Sequence, residues 1–93
     1  MKDARIPALL TAILEVTGVT HCDICSSSRK KNIVLGRAIF CQEMRFSLGY
    51  SCGEVRLCLG RSHSAISHLT LNYFIDPSIH RKIRIKQAKL LKS

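Results

Sequence analysis

Acidic residues are scarce in this sequence. Six Asp and Glu stand against fifteen Lys and Arg, which gives a formal net charge of +9 on 93 residues. Such an excess on a small chain is typical of a protein that binds a polyanion, most often nucleic acid and less often an acidic membrane surface. A basic protein with no such partner is the plain alternative. The length allows one compact domain with a small core and few functional sites.

Long apolar runs are also missing. Residues 6–14 are the best candidate, and Glu15 ends that run, well short of the ~20 apolar residues that a membrane-spanning helix needs. The first residues lack a strong basic region and a cleavage site, and the cysteine count is odd at five. We therefore expect a cytoplasmic protein with reduced cysteines and no membrane partner.

Motifs for catalysis are absent. The sequence contains no Gly-x-x-x-x-Gly-Lys-Ser/Thr, so we expect no phosphate-cradling loop, no ATPase activity and no nucleotide cofactor. No nucleophile–base pair and no paired carboxylates are visible, which leaves an enzyme without support. We predict no cofactor of any kind.

One cysteine pair suggests metal chemistry. Cys22-x-x-Cys25 follows His21 and provides half of a zinc site, but the remaining cysteines and histidines offer no second close pair at typical spacing. Free cysteine often behaves as a small buried hydrophobe. We predict no metal site, and a small zinc-binding module remains as an alternative.

Apolar residues recur at helical spacing, and no stretch shows the strict alternation of a strand. This pattern predicts an all-α fold with long helices over about residues 6–16, 32–48, 62–74 and 79–92. Shorter helices are predicted around residues 22–25 and 51–59. Gly18 and Gly49 are the expected stops of the first two long helices. The predicted inward-facing residues are Leu9, Leu10, Ile13, Leu14, Ile33, Phe40, Cys41, Met44, Leu48, Ile66, Leu69, Tyr73 and Phe74.

The segment from Ser51 onward has the pattern of a helix-turn-helix. Ser51 and Glu54 fit a capping box, Gly60 provides a tight turn, and Ser62 can cap the longer helix that follows. The second helix of such a unit docks in the major groove of DNA, with short polar side chains at its N-terminal end. Here that end reads Arg61-Ser62-His63-Ser64, with Ser67 and His68 one turn further along.

These residues resemble a known family. The resemblance is carried by Asp23-Ile24-Cys25-Ser26, Arg29, Arg37, Glu54-Val55 and Gly60-Arg61-Ser62-His63-Ser64-Ala65-Ile66-Ser67-His68. Over about residues 13–74 the sequence resembles the C-terminal DNA-binding domain of the bacterial replication initiator DnaA. The resemblance implies a small helical bundle of the Trp-repressor-like type, containing a helix-turn-helix, with double-stranded DNA as its partner.

The resemblance also implies contact residues. Arg29 matches an arginine that enters the minor groove, and Lys31 lies beside it. His63 and Ser64 match readers of the major groove, while Arg37 and Arg45 match basic positions that meet DNA or its backbone. Together with the helix-turn-helix pattern, this gives a predicted DNA-binding set of Arg29, Lys31, Arg37, Arg45, Arg61, Ser62, His63, Ser64 and Ser67.

Three positions depart from the family pattern. Ser62 replaces an acidic residue, Ala65 replaces a threonine, and Arg56 replaces a glycine. Serine reads either a donor or an acceptor and discriminates less than aspartate, so we expect altered or relaxed sequence preference. We predict a stand-alone regulator or accessory factor without ATPase activity. The alternative is a protein-interaction module that keeps the fold without sequence-specific readout of DNA.

Pro77 separates the chain into two predicted parts. Residues 1–76 form the helix-turn-helix domain, and residues 77–93 form a basic C-terminal helical extension. The extension has two interpretations: a solvated helix face, or a surface that binds phosphates or a protein partner. A membrane-surface role is disfavoured because its apolar face is narrow and lacks aromatic residues.

Overall fold

The computed structural model describes residues 3–92, and this part of the chain is a small bundle of helices without strands. The predicted all-α class is confirmed. The helices are α1 (Arg5–Thr17), α2 (His21–Cys25), α3 (Lys31–Gln42), α4 (Cys52–Leu59), α5 (His63–Leu71) and α6 (Pro77–Lys92), with one π-helical turn at Glu43–Ser47 directly after α3.

Helix α3 lies at the centre of the core, packed against α1, α2 and α5. Phe40 of α3 and Met44 of the π-helical turn are buried as predicted, and so are Leu9, Ile13 and Ile66 of the neighbouring helices. Burial of each such side chain away from water stabilises the fold by about 1.5–3 kcal/mol. Two inward predictions were wrong, since Leu14 is 43% exposed and Phe74 is 81% exposed.

A close approach between α3 and the segment after α1 depends on a glycine. A Cβ placed on Gly36 would lie 2.8 Å from Cγ1 of Val19, whose side chain is fully buried. Only the absence of a side chain at Gly36 lets the Val19 side chain pack so close to the backbone of α3.

The predicted helix over residues 32–48 is one α-helix followed by a π-helical turn. Leu48 N–H donates to the Glu43 carbonyl at 2.9 Å, five residues back, which defines the wider turn. Glu43 is buried, and its carboxylate accepts from His80 Nδ1 at 2.7 Å and from Arg84 Nη2 at 3.2 Å. The turn therefore carries a buried acid that joins α6 to the end of α3.

Helix α5 ends at Leu71, three residues before the predicted Phe74. The reason is a side chain from α3: Gln42 Nε2 donates to the carbonyls of Leu69 at 3.1 Å and Tyr73 at 2.7 Å. These bonds satisfy carbonyls near the end of α5, and the chain then turns so that Phe74 faces solvent.

Helix α6 packs along α1 as part of the same core. Ile83 and Gln87 are buried in this contact, and Gln87 Nε2 donates to the Arg5 carbonyl at 3.0 Å. Asp76 begins the helix by accepting from Ser78 N–H at 2.9 Å, and this bond holds the pKa of Asp76 below its usual value. Within residues 3–92 no helix has the length and apolarity to cross a membrane.

Candidate nucleic-acid interface

Helices α4 and α5 form the helix-turn-helix that the sequence predicts, with each end fixed by local hydrogen bonds. Ser51 Oγ accepts from Glu54 N–H at 3.2 Å, and Glu54 Oε1 accepts from Ser51 N–H at 3.0 Å, which completes the capping box. Gly60 has a φ of 65°, a left-handed conformation that favours glycine, and its N–H closes α4 on the Arg56 carbonyl at 2.8 Å. Ser62 Oγ caps α5 by accepting from Ala65 N–H at 3.3 Å.

Buried residues on both helices hold this unit on the core. Val55 and Leu59 anchor α4, while Ile66 and Leu69 anchor α5 against α3. The inward face of α5 is thus used for packing, and its N-terminal end is left to project from the bundle.

The projecting end of α5 carries short polar side chains. Ser62, His63 and Ser64 are exposed, and Ser67 one turn later is half-buried. The Ser62 and Ser64 hydroxyls lie 3.4 Å apart. Because His63 and Ser64 are the first two residues of α5, their N–H groups have no partner within the helix and point outward from its positive end.

Arg61, in the turn before α5, has unsatisfied hydrogen-bond donors. Its Nε and Nη2 atoms are buried and have no hydrogen-bond partner among residues 3–92. The side chain borders a cavity of about 340 Å³ that is also lined by Arg56, Leu57, Gly60 and Ser62. Buried donors of a cation without an acceptor are costly, so the Arg61 side chain would gain by turning toward an anion in this cavity.

Arg37 lies inside the protein, unlike the other predicted contact residues. It is 7% exposed, and its guanidinium donates from Nε to the Ile24 carbonyl at 2.8 Å and from Nη2 to the Ser26 carbonyl at 2.7 Å. Longer bonds from Nη2 reach the carbonyls of Ser28 at 3.2 Å and Asp23 at 3.4 Å. The guanidinium therefore fixes the end of α2 and the loop that follows, and its donors do not face solvent.

Burial of Arg37 lowers the pKa of its guanidinium, and the positive charge of Arg61 nearby lowers that pKa further. Arg37, on α3, binds carbonyls of the loop over residues 26–30, which we call the basic loop, whereas Arg61 belongs to the helix-turn-helix. This interaction therefore indicates that the two segments are neighbours. A contact of 4.0 Å between Cys25 Sγ and the Cys58 carbonyl joins the same two segments.

The basic loop between α2 and α3 presents Arg29 to solvent, and Lys31 is exposed at the first turn of α3. Serines order the loop backbone: Ser26 Oγ donates to the Asp23 carbonyl at 2.6 Å, and Ser28 Oγ accepts from Lys30 N–H at 3.3 Å. Arg29 thus projects from a loop held at both ends.

Arg45 lies further away, in the π-helical turn. It is half-buried, and its Nη1 is 3.5 Å from the Tyr50 carbonyl, just before the capping box of α4. Arg45 therefore lies by the N-terminal end of α4, whereas the Cys25–Cys58 contact lies near the Gly60 turn at the opposite end of that helix.

Sequence reasoning did not include Arg56 among the contact residues. It is exposed on α4 and lines the same cavity as Arg61. The sequence did contain a signal for Arg56: it precedes Gly60 by four residues, and residues at that spacing lie on the same side of a helix.

The cysteines do not assemble a metal site in the part of the chain that the structure describes, where no three His, Cys, Asp or Glu side chains are grouped for an ion. Cys22, Cys25 and Cys58 are exposed thiols. Cys41 is buried in the core, and burial raises the pKa of its thiol to about 12.

Comparison with known proteins gives a partial match. Over 60 residues, which are 64% of this chain, the sequence is 38% identical to the chromosomal replication initiator protein DnaA of Pseudothermotoga lettingae. Those residues are 14% of the length of that protein. No family model and no solved structure matches the chain. The similarity supports a DnaA-related domain, while the part of DnaA to which it corresponds stays a prediction.

Proposed function

We propose that this chain binds double-stranded DNA, with the N-terminal end of α5 in the major groove and Arg29 of the basic loop in the minor groove. The similarity to DnaA supports DNA as the partner in general terms. The groove assignments come from the residues and their placement.

The observation that carries the proposal is the state of Arg61 beside the start of α5. Its buried Nε and Nη2 lack an acceptor within the described chain, and the adjacent N–H groups of His63 and Ser64 point outward. A DNA phosphate in the adjacent cavity would accept from Arg61, once its side chain turns outward, and from these N–H groups, since helix N-termini and arginines are the usual phosphate ligands. Such a contact would set His63 and Ser64 against the base edges.

The basic loop supplies the second contact. Arg37 holds the carbonyls of the loop from inside, so Arg29 is presented on an ordered backbone. A guanidinium is drawn into a narrow, A·T-rich minor groove by its negative potential. Lys31 and Arg45 are exposed or half-exposed cations that we assign to the phosphate backbone. In this account Arg37 positions the loop instead of meeting DNA.

Sequence preference should differ from that of an initiator. The Ser62 oxygen is used as the cap of α5, and its hydroxyl proton is free to turn toward Ser64 or a base. A hydroxyl that can both donate and accept does not distinguish one base edge from another. Ala65 can offer a base only the contact of a small methyl group. We therefore propose a regulator or accessory factor with relaxed readout, and we assign it no nucleotide-dependent step.

The test is a fluorescence-anisotropy titration of labelled duplexes, selected from a random pool, at several salt concentrations. Arg29→Ala and His63→Ala should weaken binding to the selected duplex by about 10- to 100-fold and affect unrelated duplexes little. Arg45→Ala should weaken both kinds of duplex alike and reduce the salt slope by about 0.9.

Thr11→Ala, on the exposed side of α1, is the control and should bind as the wild type does. No binding at low salt would overturn the proposal and would favour the protein-interaction alternative. Equal binding to selected and unrelated duplexes would retain DNA binding and remove the claim of readout.

A further inference from the structure

Helix α6 carries a row of positive charge on one side. Arg81, Lys82, Lys86, Lys89 and Lys92 fall within an arc of about 140° at the helical repeat of 3.6 residues per turn. All five are exposed, and α6 contains no Asp or Glu. We call these five residues the basic stripe.

The basic stripe faces away from the bundle. The opposite side of α6 holds Ile83 and Gln87, which are buried, and Gln87 is bonded to the Arg5 carbonyl of α1. Packing against α1 therefore fixes the orientation of the helix and directs the stripe to solvent.

Little of this charge is used within the fold. The buried acid near α6, Glu43, forms its ion pairs with His80 and Arg84, which lie outside the stripe. Lys86 lies 3.9 Å from Glu15, an exposed pair of little strength. Arg81, Lys82, Lys89 and Lys92 form no ion pair in the described residues.

The stripe is also internally repulsive. Lys82 and Lys86 are four residues apart, and Lys86, Lys89 and Lys92 follow at intervals of three. Like charges at these spacings destabilise a helix. A bound polyanion would reduce that repulsion further than the single Lys86–Glu15 contact does.

The chemistry of the stripe fits a phosphate backbone better than a protein partner. Its lysines are spaced by about 4.5 to 6 Å along the helix axis, which suits a linear polyanion with closely spaced charges. Lysine is a mobile point charge that does not make the bidentate contacts of base recognition. Ile85 is the large apolar residue among them, and the stripe has no aromatic anchor of the kind that protein interfaces use.

The start of α6 is separated from the base-reading end of α5. Base reading uses the N-terminal end of α5, and the opposite end lies about 13 Å away for a helix of this length. At that opposite end Gln42 binds the Leu69 and Tyr73 carbonyls and also lies 3.0 Å from His80 Nε2 at the start of α6. Helix α6 therefore begins near the C-terminal end of α5, away from the residues proposed to read bases.

We propose that the basic stripe binds the phosphate backbone of a second DNA duplex without sequence preference, so that one chain bridges two duplexes. This inference rests on the proposed function, because α5 must hold the first duplex. Bridging is a property that neither the helix-turn-helix nor the basic loop provides.

The test is a bead assay. One duplex is immobilised, a second labelled duplex is free, and the wild-type chain is titrated at low salt. Beads with the variant Lys82→Gln/Lys86→Gln/Lys89→Gln/Lys92→Gln should hold about tenfold less labelled duplex than beads with the wild type, or less still, because four cation–phosphate contacts are lost. Its binding to the selected duplex in anisotropy should keep its preference over unrelated duplexes. Replacement of the same four lysines by arginine should preserve bridging, and circular dichroism checks that both variants are helical.

Each outcome has one meaning. Bridging that survives the glutamine variant, or a wild type that binds one duplex without retaining a second, overturns the inference. Displacement by polyglutamate as effective as by free duplex assigns the stripe to acidic protein segments and also overturns it. If His63→Ala and Arg29→Ala leave all binding unchanged while the glutamine variant abolishes it, the proposed function at α5 fails and the stripe alone binds DNA.

Discussion

Arg37 offers the sharpest test of how the basic loop is built, through the substitution Arg37→Met. Methionine keeps much of the apolar stem that is buried in the core and removes the guanidinium. Four loop or helix-end carbonyls then lose their donor: those of Asp23, Ile24, Ser26 and Ser28. Water reaches this site poorly, because Arg37 is almost fully buried.

The expected loss of stability follows from the two shortest bonds, to Ile24 at 2.8 Å and to Ser26 at 2.7 Å. A hydrogen bond from a charged group contributes about 1.5–3 kcal/mol, so the loss of two such bonds in Arg37→Met should lower the free energy of unfolding by ~3–6 kcal/mol. A domain of this size has roughly 5–15 kcal/mol in total. Arg37→Lys keeps the charge but has one donor group, and it should lose about half as much.

Urea denaturation followed by circular dichroism measures both variants. Arg56→Met is the matched control, because Arg56 is exposed on α4 and should change stability by less than ~0.5 kcal/mol. A loss below about 1 kcal/mol for Arg37→Met would refute the reasoning, since the guanidinium would then not be the support of the loop.

Three further changes test the core and the helix-turn-helix, each by urea denaturation. Burial raises the pKa of the Cys41 thiol to about 12 from 9.0, so the neutral thiol contributes its full stability below pH ~9. Between pH ~9 and 12 that contribution falls by ~1.4 kcal/mol per pH unit. Cys41→Ala should remove this part of the alkaline loss of stability, and an unchanged dependence of the free energy of unfolding on pH would contradict it. Gly36→Ala should cost about 1–3 kcal/mol because its Cβ meets Val19, whereas Gly53→Ala, whose Cβ would make only an ordinary 3.9 Å contact with Ser51 Oγ, should be neutral or stabilising. Ser51→Ala should cost about 1 kcal/mol through loss of the cap of α4, and an equal stability would mean that the capping box adds nothing.

Local signals made the helix-turn-helix predictable. The Ser51–Glu54 capping box, the left-handed Gly60 and the Ser62 cap depend on residues within four positions of each other. Such interactions are encoded in short stretches of sequence, and the structure has all three. The inward faces of α3 and α5 followed from helical spacing for the same reason.

The deviations come from contacts between distant residues. Helix α5 stops at Leu71 because Gln42, 27 residues from Leu69, supplies its hydrogen bonds. The π-helical turn carries Glu43, whose partners His80 and Arg84 lie on α6. No pattern within either segment indicates these contacts, so the sequence predicts a longer, uninterrupted α-helix in both places.

The candidate site shows the same division. The exposed residues at the start of α5 were predicted from the turn pattern and the family resemblance. The burial of Arg37 was not, because a charged residue on a long helix is usually exposed, and only the fold brings the carbonyls of the loop around it. The unpartnered donors of Arg61 were equally invisible to sequence reasoning, since they depend on its enclosure near Arg37.

The most direct measurement of the central claim is a titration of ¹⁵N-labelled chain with one equivalent of the selected duplex, followed by two-dimensional NMR. We expect the largest changes in amide chemical shift at Arg61, His63 and Ser64 and in the loop around Arg29, with small changes in α1. Changes confined to other surfaces, or no changes at low salt, would contradict binding of DNA by the helix-turn-helix.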